Sequence, residues 1–354
     1  MAEKVLMKGN EAIGEAAIVA GCRHYFGYPI TPQTELTEYM AKRMPLVNGV
    51  FLQAESEVAA INMVYGAAGA GARVMTSSSS PGFSLKQEGI SYAAGAELPC
   101  VIVNVMRGGP GLGSIQPGQA DYFQSTKGGG HGDYRNIVLA PNSVQELVDV
   151  TVLAFDLADQ YRNPVLILGD GALGQMMEPV EFKASQSKAP EKPWAATGMK
   201  KRSQPNVINS LYLQPDALEK HNIRLQEKYS LIQKNEIRYE QLMTEDAELV
   251  LVAYGITSRI VRSAMEKARK NGMKVGLFRP ISLWPFPEEA LQRIASRVKM
   301  LLTVELSAGQ MVEDVRLAAN GQCPVYFFGR TGGIIPSPQA VYDQIVTTYK
   351  KGGK

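Results

Sequence analysis

Two acids, Glu55 and Glu57, stand in the run Gln53-Ala54-Glu55-Ser56-Glu57-Val58-Ala59-Ala60, ahead of the small-residue stretch Gly66-Ala67-Ala68-Gly69-Ala70-Gly71-Ala72. The apolar segment Gly49-Val50-Phe51-Leu52 precedes them and Arg73-Val74-Met75 follows. The acids therefore fall at a strand-to-helix junction of an α/β sheet, where open parallel sheets bind ligands. A carboxylate there has two readings. One is a first-turn acid that stabilises the helix dipole by a few tenths to about 1 kcal/mol; the other is a proton-handling group in a crevice. Upstream, Tyr25-Phe26-Gly27-Tyr28-Pro29-Ile30-Thr31-Pro32-Gln33-Thr34-Glu35 reads as a short strand and turn ending in a helix start. Thr31 suits its N-cap and Pro32 its first helical position. Downstream, the buried-strand run Cys100–Met106 ends on Arg107-Gly108-Gly109-Pro110, which sets a guanidinium beside glycines that let a ligand approach the backbone. A hydroxyl, a carboxylate and a guanidinium thus converge from three strand ends on one crevice. Arg107 also has a plain reading as a structural ion pair, and Thr31 as a helix cap and nothing more.

The elements that must position these groups are legible as alternating strands and helices from residue 1 to about 180. Apolar strands are expected at Val74–Ser77, Val101–Met106, Ile137–Ala140 and Pro164–Gly169, continuous Val/Ile/Leu runs of the kind buried on both faces of a parallel sheet. A helix over Val144–Tyr161 keeps its apolar residues in helical period. From Lys183 to Trp194 the composition shifts to Lys, Ser, Pro and Gln, which marks a linker, and a polar helix is expected from Asp216 to about Met243, with Leu225, Tyr229, Ile232 and Tyr239 on one stripe. A second α/β domain follows: strands at Leu249–Tyr254, Lys274–Arg279, Lys299–Glu305 and Pro324–Gly329, with helices after Ile256, from Pro287 and near Gln310–Ala319. The resulting organisation is an α/β chain in two domains, 1–182 and 246–354, joined by a linker with a polar helix over 183–245. Gly255-Ile256-Thr257-Ser258, at a helix start after a strand, reads either as an anion site or as a plain cap.

Length and composition bound the function. A chain of 354 residues with 45% apolar residues builds two full cores, and a net charge of +3 offers no basic stripe for nucleic acid. Cys22, Cys100 and Cys323 lack metal or cluster spacing and read as buried thiols in a reducing cytoplasm. His24, His131 and His221 show no ligand spacing, so no metal site is expected on this chain. The start, Met1 to Asn10, has no apolar core of signal-peptide length, and no run reaches membrane length. The Gly-rich stretch Gly108–Gly132 is too long for an ordinary turn and reads as a lid, a partner contact or flexible filler; Gln119 and Asp121 are its candidate site residues.

Tyr28-Pro29-Ile30-Thr31-Pro32, the helix opening Glu55-Ser56-Glu57-Val58-Ala59-Ala60 and the strand ending in Arg107 together resemble the alpha subunit of the 2-oxoacid:ferredoxin oxidoreductases. Ser77-Ser78-Ser79-Ser80-Pro81-Gly82 and Arg107-Gly108-Gly109-Pro110-Gly111-Leu112-Gly113 look most like the branched-chain, 2-oxoisovalerate type. The resemblance covers nearly the whole chain. It implies a thiamine-pyrimidine domain followed by a transketolase C-terminal-like domain. It also implies a Glu that hydrogen-bonds a pyrimidine nitrogen of thiamine diphosphate and favours the imino form. Counting to Gly66 of the small-residue helix assigns that role to Glu57 and leaves Glu55 either behind the site as a supporting group or at the surface. The segment Pro29-Ile30-Thr31 would line the cofactor, while Thr31 and Arg107 would hold the keto oxygen and carboxylate of the 2-oxo acid. Leu168-Gly169-Asp170-Gly171 looks like the opening of a metal-diphosphate site, but Ala195-Ala196-Thr197-Gly198-Met199-Lys200 lacks the Asn that would complete it. The diphosphate, its Mg2+ and the iron–sulfur clusters are accordingly expected on other polypeptides: a beta subunit, a gamma subunit and a ferredoxin-type subunit. Coenzyme A would take the acyl group and ferredoxin the electrons. The alternatives are the same machinery on 2-oxoglutarate, for whose distal carboxylate Lys127 or Arg135 are the available cations, and a non-catalytic scaffold subunit.

Overall fold

The computed structural model describes residues 4–183, 189–199 and 202–351. Its strands are β1 Val5–Lys8, β2 His24–Gly27, β3 Val50–Gln53, β4 Val74–Ser78, β5 Cys100–Met106, β6 Ile137–Leu139, β7 Pro164–Asp170, β8 Met177–Val180, β9 Tyr239–Leu242, β10 Leu249–Val252, β11 Val275–Pro280, β12 Ser282–Trp284, β13 Met300–Glu305 and β14 Val325–Gly329. The larger sheet runs in the order β12-β6-β7-β5-β4-β2-β3, and the smaller in the order β14-β13-β10-β11-β9. Every pair in them is parallel except the outer ones, β12 on β6 and β9 on β11. β4, β5 and β7 are buried along their whole length, which is why they read as apolar or small-residue runs, with Asn104 and the terminal Asp170 as the exceptions. β1 and β8 form a separate antiparallel ribbon.

The small-residue helix spans Glu57–Gly69 and starts where Ser56, in extended conformation, caps it by accepting from the Ala59 amide at 3.2 Å. Its Ile61 lies against Gly89 of the helix Gln87–Gly95 so closely that a Cβ on Gly89 would stand 2.6 Å from it. The helix Val144–Tyr161 has the expected bounds, with Ser143 as its cap.

Two expectations about the middle of the chain need correcting. The polar helix ends at Asn235, and Tyr239 belongs to β9. Buried Glu236 stops the helix by accepting from the Tyr161 hydroxyl at 2.6 Å. Beyond it Glu240 pairs with Arg279 at 2.8 Å and Tyr239 stacks on Phe278, both from β11. Leu225, Tyr229 and Ile232 do share a buried stripe, packed in the main core. The 183–245 segment is therefore not all linker: its last strand is part of the second sheet. The second domain also reaches back, since β12 pairs with β6 of the first sheet through Ser282 with Leu139 and Trp284 with Val138. Of the polar stretch from 183 to 194, residues 184–188 lie outside the described residues, as does Lys200. Its end lies on the first domain, with the Ala196 amide donating to Gly69 O at 2.9 Å and the Arg162 guanidinium 4.4 Å above the Trp194 ring.

Candidate active site

Glu57 opens its helix at the C-terminal end of the sheet and is 6% exposed. It faces the turn from β4 into the helix Ser80–Leu85: a Cβ added to Gly82 would stand 2.2 Å from Ser78 Oγ and 2.3 Å from Glu57 Oε1. Only glycine lets this backbone approach the carboxylate so closely. The hydroxyls of Ser78 and Ser79 are buried and make no hydrogen bond within the described chain. Polar atoms left this way are costly unless a ligand pairs with them. Glu55, by contrast, is exposed and accepts from Ser56 Oγ at 3.0 Å.

Arg107 follows β5 and is bound to the Thr31 turn. Its Nη1 donates to Thr31 O at 3.0 Å and its Nη2 to Leu112 O at 2.9 Å, while Nε is buried and unpaired. Thr31 is not a helix cap. The Thr31–Pro32 peptide is cis, the Gln33 amide closes a turn onto Ile30 O at 3.0 Å, and the helix starts at Thr34. This turn, with Pro29 and Ile30 half-buried and the Thr31 side chain exposed, is held from behind by Gln33. Gln33 Oε1 accepts from Ser77 Oγ at 2.6 Å and Thr37 Oγ1 at 3.1 Å, and Nε2 donates to Tyr28 O. Thr31 O and the Arg107 guanidinium are therefore brought together, with the Thr31 hydroxyl at the surface beside them.

Asp121 ties the two halves of this arrangement. Ser80 Oγ donates to its Oδ2 at 2.6 Å and Asn104 Nδ2 at 2.9 Å, while the Arg107 amide donates to Ser80 Oγ at 3.1 Å. Burial raises the Asp121 carboxyl above its ordinary range, with the Ser80 and Asn104 bonds opposing that rise. The segment Ser78–Gly82 thus meets Glu57 at Gly82 and the main chain of Arg107 at Ser80.

The Gly108–Gly132 stretch is bound to the second domain over much of its length. Gln119, fully buried, donates to Tyr254 O at 3.0 Å and accepts from Thr257 Oγ1 at 2.8 Å and the Leu306 amide at 3.0 Å. Both polar atoms of its side chain are engaged by these bonds, which fasten the domains together. Tyr122 and Lys127 both reach Asp314. The tip stays out: Leu112 is 85% exposed. Between this stretch and the second domain lies a cleft of about 660 Å³ whose wall starts next to Arg107, at Gly108, and includes Pro81, Asp121, Leu306 and Ala308. Lys127 and Arg135 line other cavities, on the side of the helix Pro215–Asn235.

Asp170 of the Gly-Asp-Gly run is buried at the end of β7. Its Oδ1 accepts from the Ala172 and Leu173 amides at 3.0 and 3.1 Å, and its carboxyl also accepts from the Ile256 amide of the second domain. The helix Gly255–Lys270 therefore has the chain's own carboxylate at its N-terminus, which answers the anion-or-cap question at Gly255–Ser258. Burial pushes the Asp170 carboxyl up from 3.8 to about 6. Such an acid binds its proton more tightly folded than unfolded, so its contribution favours folding below about pH 4 and is lost as pH rises through 6. A shift of that size amounts to about 3 kcal/mol. Asp170→Asn is expected to flatten the fall in stability between pH 4 and 6, read by chemical denaturation across that range.

The cysteines are buried and free; burial pushes Cys22 and Cys100 up to about 12, so neither is a thiolate at neutral pH. His221 is buried with Nε2 2.7 Å from Gly95 O, and His131 is exposed. Among the described residues no group of three His, Cys, Asp or Glu side chains is placed to hold a metal ion, and no helix is long and apolar enough to cross a membrane. Lys86 is fully buried between Phe83 and Ile90, and its Nζ donates to Thr76 Oγ1 at 3.1 Å.

Residues 15–246 match the family of the pyruvate flavodoxin/ferredoxin oxidoreductases, thiamine-diphosphate-binding, and residues 247–341 match core domain II of pyruvate:ferredoxin oxidoreductase. The chain is 56% identical to the ketoisovalerate oxidoreductase subunit VorB of Methanothermobacter marburgensis, over 93% of each chain. It is 37% identical to the 2-oxoglutarate synthase subunit KorA of Methanothermobacter thermautotrophicus, over 98% of this chain and 99% of that one. Among solved structures it superposes at a TM-score of 0.85, with 28% identity, on the 2-oxoglutarate:ferredoxin oxidoreductase of Magnetococcus marinus with 2-oxoglutarate, coenzyme A and succinyl-CoA bound. It covers 98% of itself but 65% of that longer chain. With the two family models together covering residues 15–341, the chain belongs to the pyruvate flavodoxin/ferredoxin oxidoreductase family of thiamine-diphosphate-binding oxidoreductase subunits.

Proposed function

We propose that this chain is the alpha subunit of a complex that oxidatively decarboxylates a branched-chain 2-oxo acid, 2-oxoisovalerate, to its acyl-coenzyme A and passes the electrons to ferredoxin. The observation that carries the reading is the single segment Ser78–Gly82. It meets a buried carboxylate at Gly82, carries two unpaired hydroxyls at Ser78 and Ser79, and at Ser80 bonds the main chain of Arg107, whose guanidinium keeps a free Nε. These groups fit the pyrimidine half of thiamine diphosphate: a proton-sharing acid, donors awaiting acceptors, and a glycine that keeps the approach open. When bound, that cofactor supplies the carbanion and the electron sink that decarboxylation of a 2-oxo acid requires. Glu57 holds the proton at Oε1 for the ring nitrogen, a charge-assisted bond of roughly 1.5–3 kcal/mol. Arg107, through Nε and whatever it releases from Leu112 O, binds the substrate carboxylate, and the exposed Thr31 hydroxyl meets the keto oxygen. Asp121 holds Ser80 and thereby the backbone of Arg107. Pro29 and Ile30 line the ring.

The Asp170 carboxyl is already taken by three main-chain amides, so we place the diphosphate and its Mg2+ on a beta subunit. That partner suits the free edge of the larger sheet, where Val50 and Leu52 of β3, Val58 and Leu85 stay exposed on the Glu57 side. A gamma subunit and a ferredoxin-type iron–sulfur subunit complete a cytoplasmic assembly. The cleft beside Arg107 favours a branched side chain. Its wall holds Pro81, Leu306 and Ala308, its acid is Asp121, and neither Lys nor Arg lines it, so the distal carboxylate of 2-oxoglutarate would meet like charge.

The test is coenzyme-A-dependent reduction of ferredoxin or a viologen dye by the complex purified through this chain. With 2-oxoisovalerate, kcat/KM is expected to exceed that with 2-oxoglutarate by about 100-fold, the scale set by an unpaired buried charge of a few kcal/mol. Equal rates would remove the substrate assignment, and no turnover in a cofactor-loaded complex would favour a scaffold subunit.

A further inference from the structure

The turn ahead of the helix Thr34–Arg43 is held by its main-chain oxygens. Arg107 Nη1 donates to Thr31 O at 3.0 Å, and Asn10 Nδ2 and Gln175 Nε2 donate to Pro32 O at 2.8 and 3.2 Å. Gln33, fully buried, takes two more: its amide donates to Ile30 O at 3.0 Å and its Nε2 to Tyr28 O at 3.1 Å. A main-chain oxygen only accepts, so the side chain must turn Nε2 to Tyr28 and present Oε1 on its other side. Ser77 Oγ and Thr37 Oγ1 donate to that Oε1 at 2.6 and 3.1 Å. Behind them the Tyr25 hydroxyl lies 2.6 Å from Ser77 Oγ and 2.9 Å from Thr37 Oγ1. With the Ser77 and Thr37 protons given to Gln33, Tyr25 donates to one of these two oxygens, and the bonds run one way, from β2 to the turn. The Tyr25 ring stacks on Phe51 of β3 with centroids 5.7 Å apart, and Gly27 leaves room for the hydroxyl, since a Cβ there would stand 2.6 Å from it. All four polar side chains are buried, and a buried network of this kind rigidifies what it touches.

We propose that Gln33 is a positioning residue for Thr31 and Arg107: its side chain, oriented by Ser77, Thr37 and Tyr25, transmits the order of the larger sheet to the turn and sets where Thr31 meets the guanidinium. The inference rests on the reading of Thr31 and Arg107 as the groups that bind the 2-oxo acid. Thr31 follows Ile30, whose oxygen Gln33 holds, and its own oxygen is the acceptor for Arg107 Nη1. A turn released by Gln33 therefore either carries the guanidinium with it or drops it, and the Thr31 hydroxyl shifts in both cases. An apolar side chain at 33 would fill the space but leave Tyr28 O, Ser77 and Thr37 without this partner.

Gln33→Met, close in length and volume but without hydrogen bonds, tests this in the assembled complex by two readouts. Hydrogen exchange of the amides over residues 28–36 should quicken by about tenfold, the equivalent of one buried hydrogen bond. With 2-oxoisovalerate, kcat/KM should fall by about 10–100-fold, chiefly through KM. In the Arg107→Lys background the same substitution should cost less than about threefold more, because the pair that it positions is already broken. Tyr25→Phe, which leaves Gln33 in place and removes only the hydroxyl behind it, should move exchange and KM in the same direction by about two- to fivefold. Should Gln33→Met fail to assemble, Tyr25→Phe and Ser77→Ala decide: both must quicken exchange of the turn and raise KM. Faster exchange with unchanged kinetic constants overturns the proposal, and so do losses that simply multiply in the Arg107→Lys background. If Arg107→Lys and Thr31→Val themselves leave kcat/KM unchanged, the reading of that pair has failed and the role of Gln33 falls with it, whatever the exchange shows.

Discussion

Glu57→Gln is expected to lower turnover of the assembled complex by about 10²–10⁴-fold, the range that a positioned acid–base group supplies, while the subunits still assemble. The substitution keeps size and shape, so the close contact with Gly82 and Ser78 survives. The helix keeps its Ser56 cap and loses only a first-turn charge, worth a few tenths to about 1 kcal/mol. What disappears is the capacity to hold a proton where it can be shared with a ring nitrogen, since an amide at that place cannot exchange roles as a carboxyl does. Glu55→Gln is the matched control: two residues away, exposed and bonded to Ser56, it should change turnover less than about twofold, as surface changes do. Size-exclusion chromatography of each complex and steady-state dye reduction give both readouts. Full activity in Glu57→Gln would leave that acid as a helix-dipole residue and nothing more.

The framework of the site was legible because the residues that build it obey local rules. β5 and β7 are apolar runs interrupted only by Asn104 and the terminal Asp170, since both faces are covered, and Ser143 and Ser56 announce the helices that they cap. The missed features all depend on contacts distant in sequence. Thr31-Pro32 looks like a cap and a first helical residue, but Gln33 and Arg107 hold it as a turn. Tyr239 keeps a helical interval with Ile232 by coincidence; its place is decided by Phe278 and Arg279 of a strand that lies about forty residues on. β12 belongs by sequence to the second domain and by hydrogen bonding to the first sheet. Gln119, read as a candidate site residue from a Gly-rich stretch, turns out to have every polar atom of its side chain engaged by Tyr254, Thr257 and Leu306.

Arg107→Lys is expected to reduce kcat/KM for the 2-oxo acid by about 10–150-fold, the equivalent of one charge-assisted hydrogen bond of roughly 1.5–3 kcal/mol. The guanidinium now does two things at once: Nη1 and Nη2 brace Thr31 O and Leu112 O, and Nε is left buried without an acceptor. A lysine retains the charge and reaches one of those oxygens, but it cannot present a planar fork to a carboxylate while bracing the turn. A purely structural Arg107 would make the variant equally poor with every substrate, because the Thr31 turn itself would shift. A carboxylate-binding Arg107 makes a narrower demand. Coenzyme-A-dependent oxidation of 2-methylpropanal, which has the side chain of 2-oxoisovalerate and no carboxylate, should then change less than about threefold, since the lost interaction was never made with it. The ratio of the two effects separates the roles: a loss confined to the 2-oxo acid assigns its carboxylate to Arg107, and a matching loss with the aldehyde reduces Arg107 to the brace that holds Thr31 beside Leu112.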